Sequence, residues 1–340
     1  MSGTAGLASV VVFARQSARE ALHAAVEEGT GQLWRGDAES ATKTLECARQ
    51  LFDSSEVGDA DRATLLFHLG DARLAFGEIA EATSLFTLAL DLCNRCAQPS
   101  DRLRAQIFER RARCHRHHRD WTAARADVER ALELAEALGD DATIAQASLQ
   151  AAIVAEREGQ WIIAECYAER ARELFVTLGD VFGVGRCLNN LGGLAFLLGK
   201  PEEARANLKE SFGILLDLGR DVEAADAVSS LAQVQLRTGE YEDAERLARR
   251  ALVFVGSRVD HRTELGNAQL LLGHALLAQD RLDEAEEVFA LAERTLDRAP
   301  IGERAAVWLA QGEAATRRDD VEGAAGCYRR AAEALQDFHF

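Results

Sequence analysis

Proline is scarce. Pro99, Pro201 and Pro300 are the only three in 340 residues, where ordinary usage would give roughly 17. Proline removes a backbone donor and breaks helix interiors, so its scarcity favours uninterrupted helix over a loop-rich β protein. Lysine is also rare: Lys43, Lys200 and Lys209 stand alone among arginines. No apolar run approaches the roughly 18 residues needed to span a bilayer. The apolar stretch at residues 7–14 has no basic segment before it and runs directly into Arg15. It reads as the start of a first helix rather than a secretory leader. The seven cysteines are odd in number and scattered, whereas a secreted disulfide framework is denser and usually even. A reducing, cytoplasmic compartment is the expectation. No P-loop and no H-E-x-x-H occurs, and Gly183-Val184-Gly185 lacks both a preceding strand and a third glycine.

One sign of charge dominates. Asp and Glu number 56 against 39 Lys and Arg, for a net charge of −17. Such a chain repels phosphate backbones, so neither nucleic acid nor a membrane is an expected partner. Hydrophobic residues make up 48% of the chain, enough to bury a core along its length.

What is present is a repeat. The segments GDAESA, GEIAEA, RDWTAA, GQWIIA, GKPEEA, GEYEDA, DRLDEA and DDVEGA begin at Gly36, Gly77, Arg119, Gly159, Gly199, Gly239, Asp280 and Asp319. Successive starts are separated by 39 to 42 residues. Five residues after each start stands an alanine, from Ala41 to Ala324. Seven residues later stands another small residue, and seven residues before each start stands Gly or Ala. Leu45, Phe86, Val128, Leu208, Phe289 and Tyr328 form a bulky column, which Ala168 and Ala248 break. Small residues let two helices approach closely and bulky neighbours fill the remaining space. Apolar residues recur three and four apart on both sides of each start. Each unit therefore reads as helix, tight turn, helix, with the turn residue in a left-handed conformation. Pro201 falls at a first helical position, where its missing N–H costs nothing.

These columns resemble the tetratricopeptide repeat family: a small residue late in the first helix, G-x-[YW] at the turn, then A-x-x-x-[FY]-x-x-A. The fullest matches are NNLGGLAFLLGKPEEA (189–204), HLGDARLAFGEIAEA (68–82) and LLLGHALLAQDRLDEA (270–285). Trp121, Trp161 and Tyr241 take the turn aromatic, with both tryptophans expected in the core. The unit of about 40 residues is similar to the longer form found in sensory arrays of bacterial regulators and signalling ATPases. The resemblance implies an all-α fold, an α-solenoid wound as a right-handed superhelix of about eight repeats and sixteen helices. One domain spans 1–340, with repeats at about 14–55, 58–97, 101–140, 141–180, 181–220, 221–260, 261–299 and 301–340.

The resemblance also implies a concave face built by first helices, six and three residues from the turn column, that receives peptides or partner proteins. In the third repeat, residues 101–120 carry seven arginines against three acids. Arg110, Arg113 and His117 share one helical face there, a set of donors suited to an acidic partner. The alternative is a solvated basic face balancing Asp127 and Glu129. In repeats four to six the same face carries Gln150, Arg186, Asn189, Asn190, Ser229, Ser230 and Gln233. Amides both donate to and accept from an extended peptide backbone; an ordinary polar wall is the alternative. Phe338 and Phe340 close a last repeat that has no following neighbour, so a homo-oligomeric contact is expected at that end.

Other chemistry is less supported. Cys93 and Cys96 form a C-x-x-C, and Cys114, His115, His117 and His118 follow. Helical geometry separates the two groups by roughly 15 Å, too far to share one metal. Cys47, Cys166, Cys187 and Cys327 fall in helical patterns and read as small buried residues. No nucleophile stands beside a base. No metal or cofactor is expected. The function anticipated is non-catalytic: a scaffold or sensor for a peptide or protein segment. One alternative is the sensing part of a regulator similar to peptide-responsive helix-turn-helix proteins. Its effector domain would lie on another chain or be absent, since the first twenty residues cannot hold one. An enzyme subunit is the alternative of another class.

Overall fold

The computed structural model describes residues 3–52, 57–256 and 262–336. Phe338 and Phe340 lie outside the described residues. Sixteen α-helices and no strands occur among those described. The chain divides into two compact units, residues 1–174 and 175–340. The first begins with α1 (Gly3–Trp34), α2 (Ala38–Phe52), α3 (Asp59–Ala75) and α4 (Ile79–Arg95). It continues with α5 (Asp101–His117), α6 (Trp121–Leu138), α7 (Asp141–Arg157) and most of α8 (Trp161–Leu178), whose last four residues belong to the second unit. The second follows with α9 (Val181–Leu197), α10 (Pro201–Asp217), α11 (Asp221–Thr238) and α12 (Tyr241–Val255). It ends with α13 (Arg262–Ala278), α14 (Leu282–Thr295), α15 (Ile301–Arg317) and α16 (Val321–Gln336). In each unit, first helices of consecutive pairs touch one another, as α3 touches α5 and α11 touches α13, while each second helix packs on the next first helix. This is the stacking of an α-solenoid.

All eight turn residues have positive φ, from 59° at Arg119 to 88° at Gly77. Glycine meets that demand at five of them. Arg119, Asp280 and Asp319 adopt the same conformation with a side chain in place, a geometry disfavoured for L-residues. Gly139, Gly179 and Gly219 do the same between pairs. Aspartates start several helices: the carboxylates of Asp37, Asp120, Asp140, Asp180 and Asp320 each accept from the backbone N–H three residues on. That satisfies a donor the helix leaves orphaned. Pro201 opens α10 and Pro300 caps α15.

The small and bulky columns meet inside each hairpin. A Cβ built on Gly70 would lie 2.6 Å from the Phe86 ring, and on Gly192 2.5 Å from Leu208 Cγ. The same holds for Gly29 with Leu45, Gly273 with Phe289 and Gly312 with Tyr328. Phe86, Leu45, Leu208 and Phe289 are fully buried. Removing the side chain on one helix is what lets the other helix bury a large one.

Two expectations about the core need correction. Trp161 and Tyr241 are each 40% exposed, and Trp121 is half-buried with Arg157 over its ring. Each opens its second helix, so its side chain leans back over the turn rather than into the seam. Cys47 and Cys166 are exposed and Cys327 half-buried; only Cys187 of that set is buried. Cys47 lies about 100° round the helix from the alanine seam at Ala48, and Cys166 about 200° from Ala164. Trp308 is buried and donates to Glu293, whereas Trp34 is 90% exposed.

Candidate functional site

The first-helix faces carry two distinct polar arrangements, one in each unit. In the first unit, α3, α5 and α7 contribute a closed ion network. Arg110 Nε donates to Asp71 Oδ1 at 2.9 Å, and its Nη1 donates to Glu109 Oε2. Glu109 is 1% exposed. Its other oxygen accepts from Gln150 Nε2 at 3.0 Å, and Gln150 Oε1 accepts from Arg116. A carboxylate can be buried only with such partners. The two carboxylates beside Arg110 hold its guanidinium firmly charged. Beside this network Arg111 grips Asp127 with two parallel bonds of 2.7 and 2.8 Å.

This changes the reading of the basic face. Gln150 is fully buried, so its amide is spent inside the protein rather than offered to a ligand. Arg110 is largely consumed as well. Arg113 is half-buried and, among the described residues, makes no hydrogen bond or ion pair. His117, one turn on, keeps an exposed surface. The protein surrounding it, then the charges of Arg113, Arg116 and His118, push its pKa down to about 4. The strip that remains open is Arg113 and His117.

In the second unit, α9 carries Arg186, Asn189 and Asn190, all half-buried. The Arg186 guanidinium lies 5.8 Å from the Phe182 ring centre. Ser229 is half-buried on α11, Ser230 turns its hydroxyl back onto Asp226 O, and Gln233 is exposed. Of these, Gln233 enters a cavity of about 420 Å³ formed by α11, α13 and α15 with Tyr241. Leu236, Leu271 and Leu277 provide apolar surface, and His274, Glu313, Arg237 and Arg317 provide the polar groups. Arg317 Nη1 donates to Leu277 O at 3.1 Å, and His274 stands edge-on to Phe289 at 5.4 Å. Burial lowers the His274 pKa, Glu313 opposing and Arg237 adding to that shift.

A second cavity, about 380 Å³, lies in the first unit between α2 and α3, beside Thr42, Lys43, Cys47, Arg73 and Phe76. Its cations are already paired: Lys43 with Glu39 at 2.6 Å, and Arg73 with Glu78 and Glu46. It offers little uncompensated charge. No group of three or more His, Cys, Asp or Glu among the described residues is arranged to hold a metal ion. No described helix is long and apolar enough to cross a membrane.

The family model for the tetratricopeptide repeat matches residues 143–217 and 183–254. These are tetratricopeptide repeats. Solved structures with similar backbones extend the likeness along the chain. A Rap protein complexed with competence and sporulation factor superposes with a TM-score of 0.68 at 15% identity, covering 94% of this chain and 98% of that one. The apo quorum sensor NprR from B. thuringiensis gives 0.69 at 14%, over 92% and 87%. The Rap conjugation regulator of plasmid pLS20, in complex with the Phr* peptide, gives 0.65 at 14%, over 93% and 95%. At these identities the likeness is one of fold. No curated protein matches the chain by sequence.

With the tetratricopeptide register in hand, the missed residues become legible. Asp71, His274 and Glu313, like the anticipated Arg113 and Gln233, all stand six residues before a turn residue. Leu236 and Leu277 stand three before. His117, Arg237 and Arg317 stand two before, a column the sequence reading used only at His117.

Proposed function

We propose that this tetratricopeptide protein is non-catalytic and binds a peptide or protein segment along the first-helix faces of its repeats, as a scaffold or sensor. The carrying observation is the cavity on α11, α13 and α15. There Gln233, Arg237 and Glu313 have no hydrogen-bonding partner among the described residues, yet they ring an apolar surface of three leucines. Polar groups left open around an apolar surface suit a ligand with both kinds of contact. The likeness to a regulator solved with a bound peptide supports the reading. Arg113 and His117 would favour an acidic stretch in the ligand, and Asn189, Asn190, Ser229 and Gln233 would bond its backbone. Seven free cysteines fit a reducing compartment. The same binding would let the chain act as the sensing part of a system whose effector lies on another chain.

The test is selection from a displayed library of random twelve-residue peptides, followed by calorimetry of the enriched sequences. Binding should weaken at least tenfold in Gln233→Ala or Arg113→Glu. Enriched peptides that ignore every substitution on the first-helix faces would refute the site, and absence of enrichment would refute the function.

A further inference from the structure

Cys93 and Cys96 place two thiols on one turn at the end of α4, a second helix. Cys96 caps that helix, and its N–H donates to Cys93 O at 3.2 Å. Residues three apart across such a turn have Cα atoms about 5 Å apart, inside the range of a disulfide. Their Cβ atoms lie about 5–6 Å apart, and a disulfide needs them about 1 Å closer. Cys96 can supply that movement. Its ψ of 139° takes the chain out of the helix, and residues 97–100 belong to no helix. Its thiol already turns back over the last turn, 3.3 Å from Leu92 O. The two sulfurs differ in access. Cys96 is half-buried, whereas Cys93 is 2% exposed, in a core shared with Leu103 and Ile107 of α5. Burial, then the adjacent Cys96, push the Cys93 thiol up, and Arg104 opposes them. An external oxidant therefore meets Cys96 first, with Cys93 behind it.

We propose that Cys93 and Cys96 close a reversible intramolecular disulfide when the chain meets a low-molecular-weight disulfide. The Cys96 thiolate attacks one sulfur of that molecule. The small S–S bond breaks, and one half leaves as a thiol, taking up the proton that Cys96 released. Cys93 then loses its proton and attacks the Cys96 sulfur, and the second half leaves in the same way. Two cysteine thiols are oxidised to one disulfide, and the small disulfide is reduced to two thiols. The second step is intramolecular, so the adduct on Cys96 does not accumulate. A surplus of small thiol runs both steps backwards. Cys47 and Cys166 are exposed, and each is the one cysteine of its helix; they stop at the adduct. The closed bond ties the link between the second and third repeats to the last turn of α4, which makes that joint responsive to the thiol balance.

The reduced full chain is incubated with hydroxyethyl disulfide, quenched in acid, alkylated and digested with trypsin without reduction. Arg95 stands between the two cysteines, so trypsin puts them on separate peptides, 74–95 and 96–102. Mass spectrometry should find these two joined, at least tenfold over peptide 96–102 carrying the adduct, with helix content unchanged. Mercaptoethanol should separate them. In Cys93→Ser the Cys96 adduct should accumulate instead. In Cys96→Ser, a change at a half-buried site, Cys93 should stay a thiol. A Cys96 adduct that persists in the unaltered chain would overturn the proposal, as would joined peptides found only after helix content is lost. Both thiols remaining reduced once Cys47 and Cys166 are fully converted would overturn it too.

Discussion

Gly192 and Gly193 are neighbours on α9, and alanine should act oppositely at the two. Alanine is about 1 kcal/mol better than glycine in a helix interior. At Gly193 nothing lies within 4 Å of the added methyl, so Gly193→Ala should stabilise by up to that amount. At Gly192 the methyl would lie 2.5 Å from Leu208 Cγ, 2.8 Å from its Cδ2 and 3.2 Å from the Ala204 carbonyl. Leu208 is fully buried and has no room to yield. Carbon atoms pack at about 3.5–4.0 Å, so α9 and α10 must separate by roughly 1 Å. Overpacking of this kind costs about 1–3 kcal/mol. After the helix gain, Gly192→Ala should be destabilising by up to about 2 kcal/mol. Leu208→Ala alone should cost about 2–5 kcal/mol, but less when Gly192→Ala is present, because the new methyl then enters space the leucine has left. Repeat arrays need not unfold in one step, so urea midpoints should be read together with hydrogen exchange of α9 and α10 amides. Gly192→Ala as stable as Gly193→Ala, or additivity in the double variant, would refute the packing described for this seam.

Four further outcomes are expected. Glu109→Ala leaves Arg110 and Gln150 without their buried acceptor and should cost about 3–5 kcal/mol in urea unfolding, as breaking buried pairs does. Asp280→Gly relieves a left-handed side chain and should raise the melting point, by at most about 1 kcal/mol once the freer unfolded chain is counted. Asp226 keeps accessible surface, but the protein around it, then Glu264 and Glu223, raise its pKa to about 7. Its folded-state pKa lies above the unfolded 3.8, so its ionisation opposes folding in full above pH 7, progressively less as pH falls from 7 to 3.8, and not at all below that. Asp226→Asn should therefore stabilise at pH 8 and have no effect near pH 3.5, checked by melts across pH. Among the thiols, Cys47 and Cys166 should react first with a thiol reagent in the folded protein. Cys93, Cys114 and Cys187 should be protected, Cys114 doubly so because burial pushes its thiol up to about 11.

The helix pairs and their turns were legible because they obey a period. The turn at Arg119 takes the glycine conformation, although only its place in the column announces it. What the period did not reveal was which groove side chains are already engaged. Arg110 and Asp71 are 39 residues apart and Glu109 and Gln150 are 41 apart; each pair joins helices one repeat away from each other. A helical wheel drawn on α5 alone shows a basic face. Only packing beside α3 and α7 turns part of it into a neutral internal network. The cations Arg237 and Arg317 were obscured differently: they stand on separate helices 80 residues apart in sequence, and they become one feature only when α11, α13 and α15 lie side by side.

At Gly29, Gly70, Gly192, Gly273 and Gly312, the glycines seven residues before a turn, the space is filled from within the same hairpin, by leucine, phenylalanine or tyrosine as the pair requires. A change at one member can thus be answered by its partner about sixteen residues along the chain, without consulting the neighbouring hairpins. Modules of this kind can be duplicated, lost or altered singly in evolution. Their fit is inherited as a pair, which leaves the exposed faces of α5, α9 and α11 free to diverge into the different surfaces they now present.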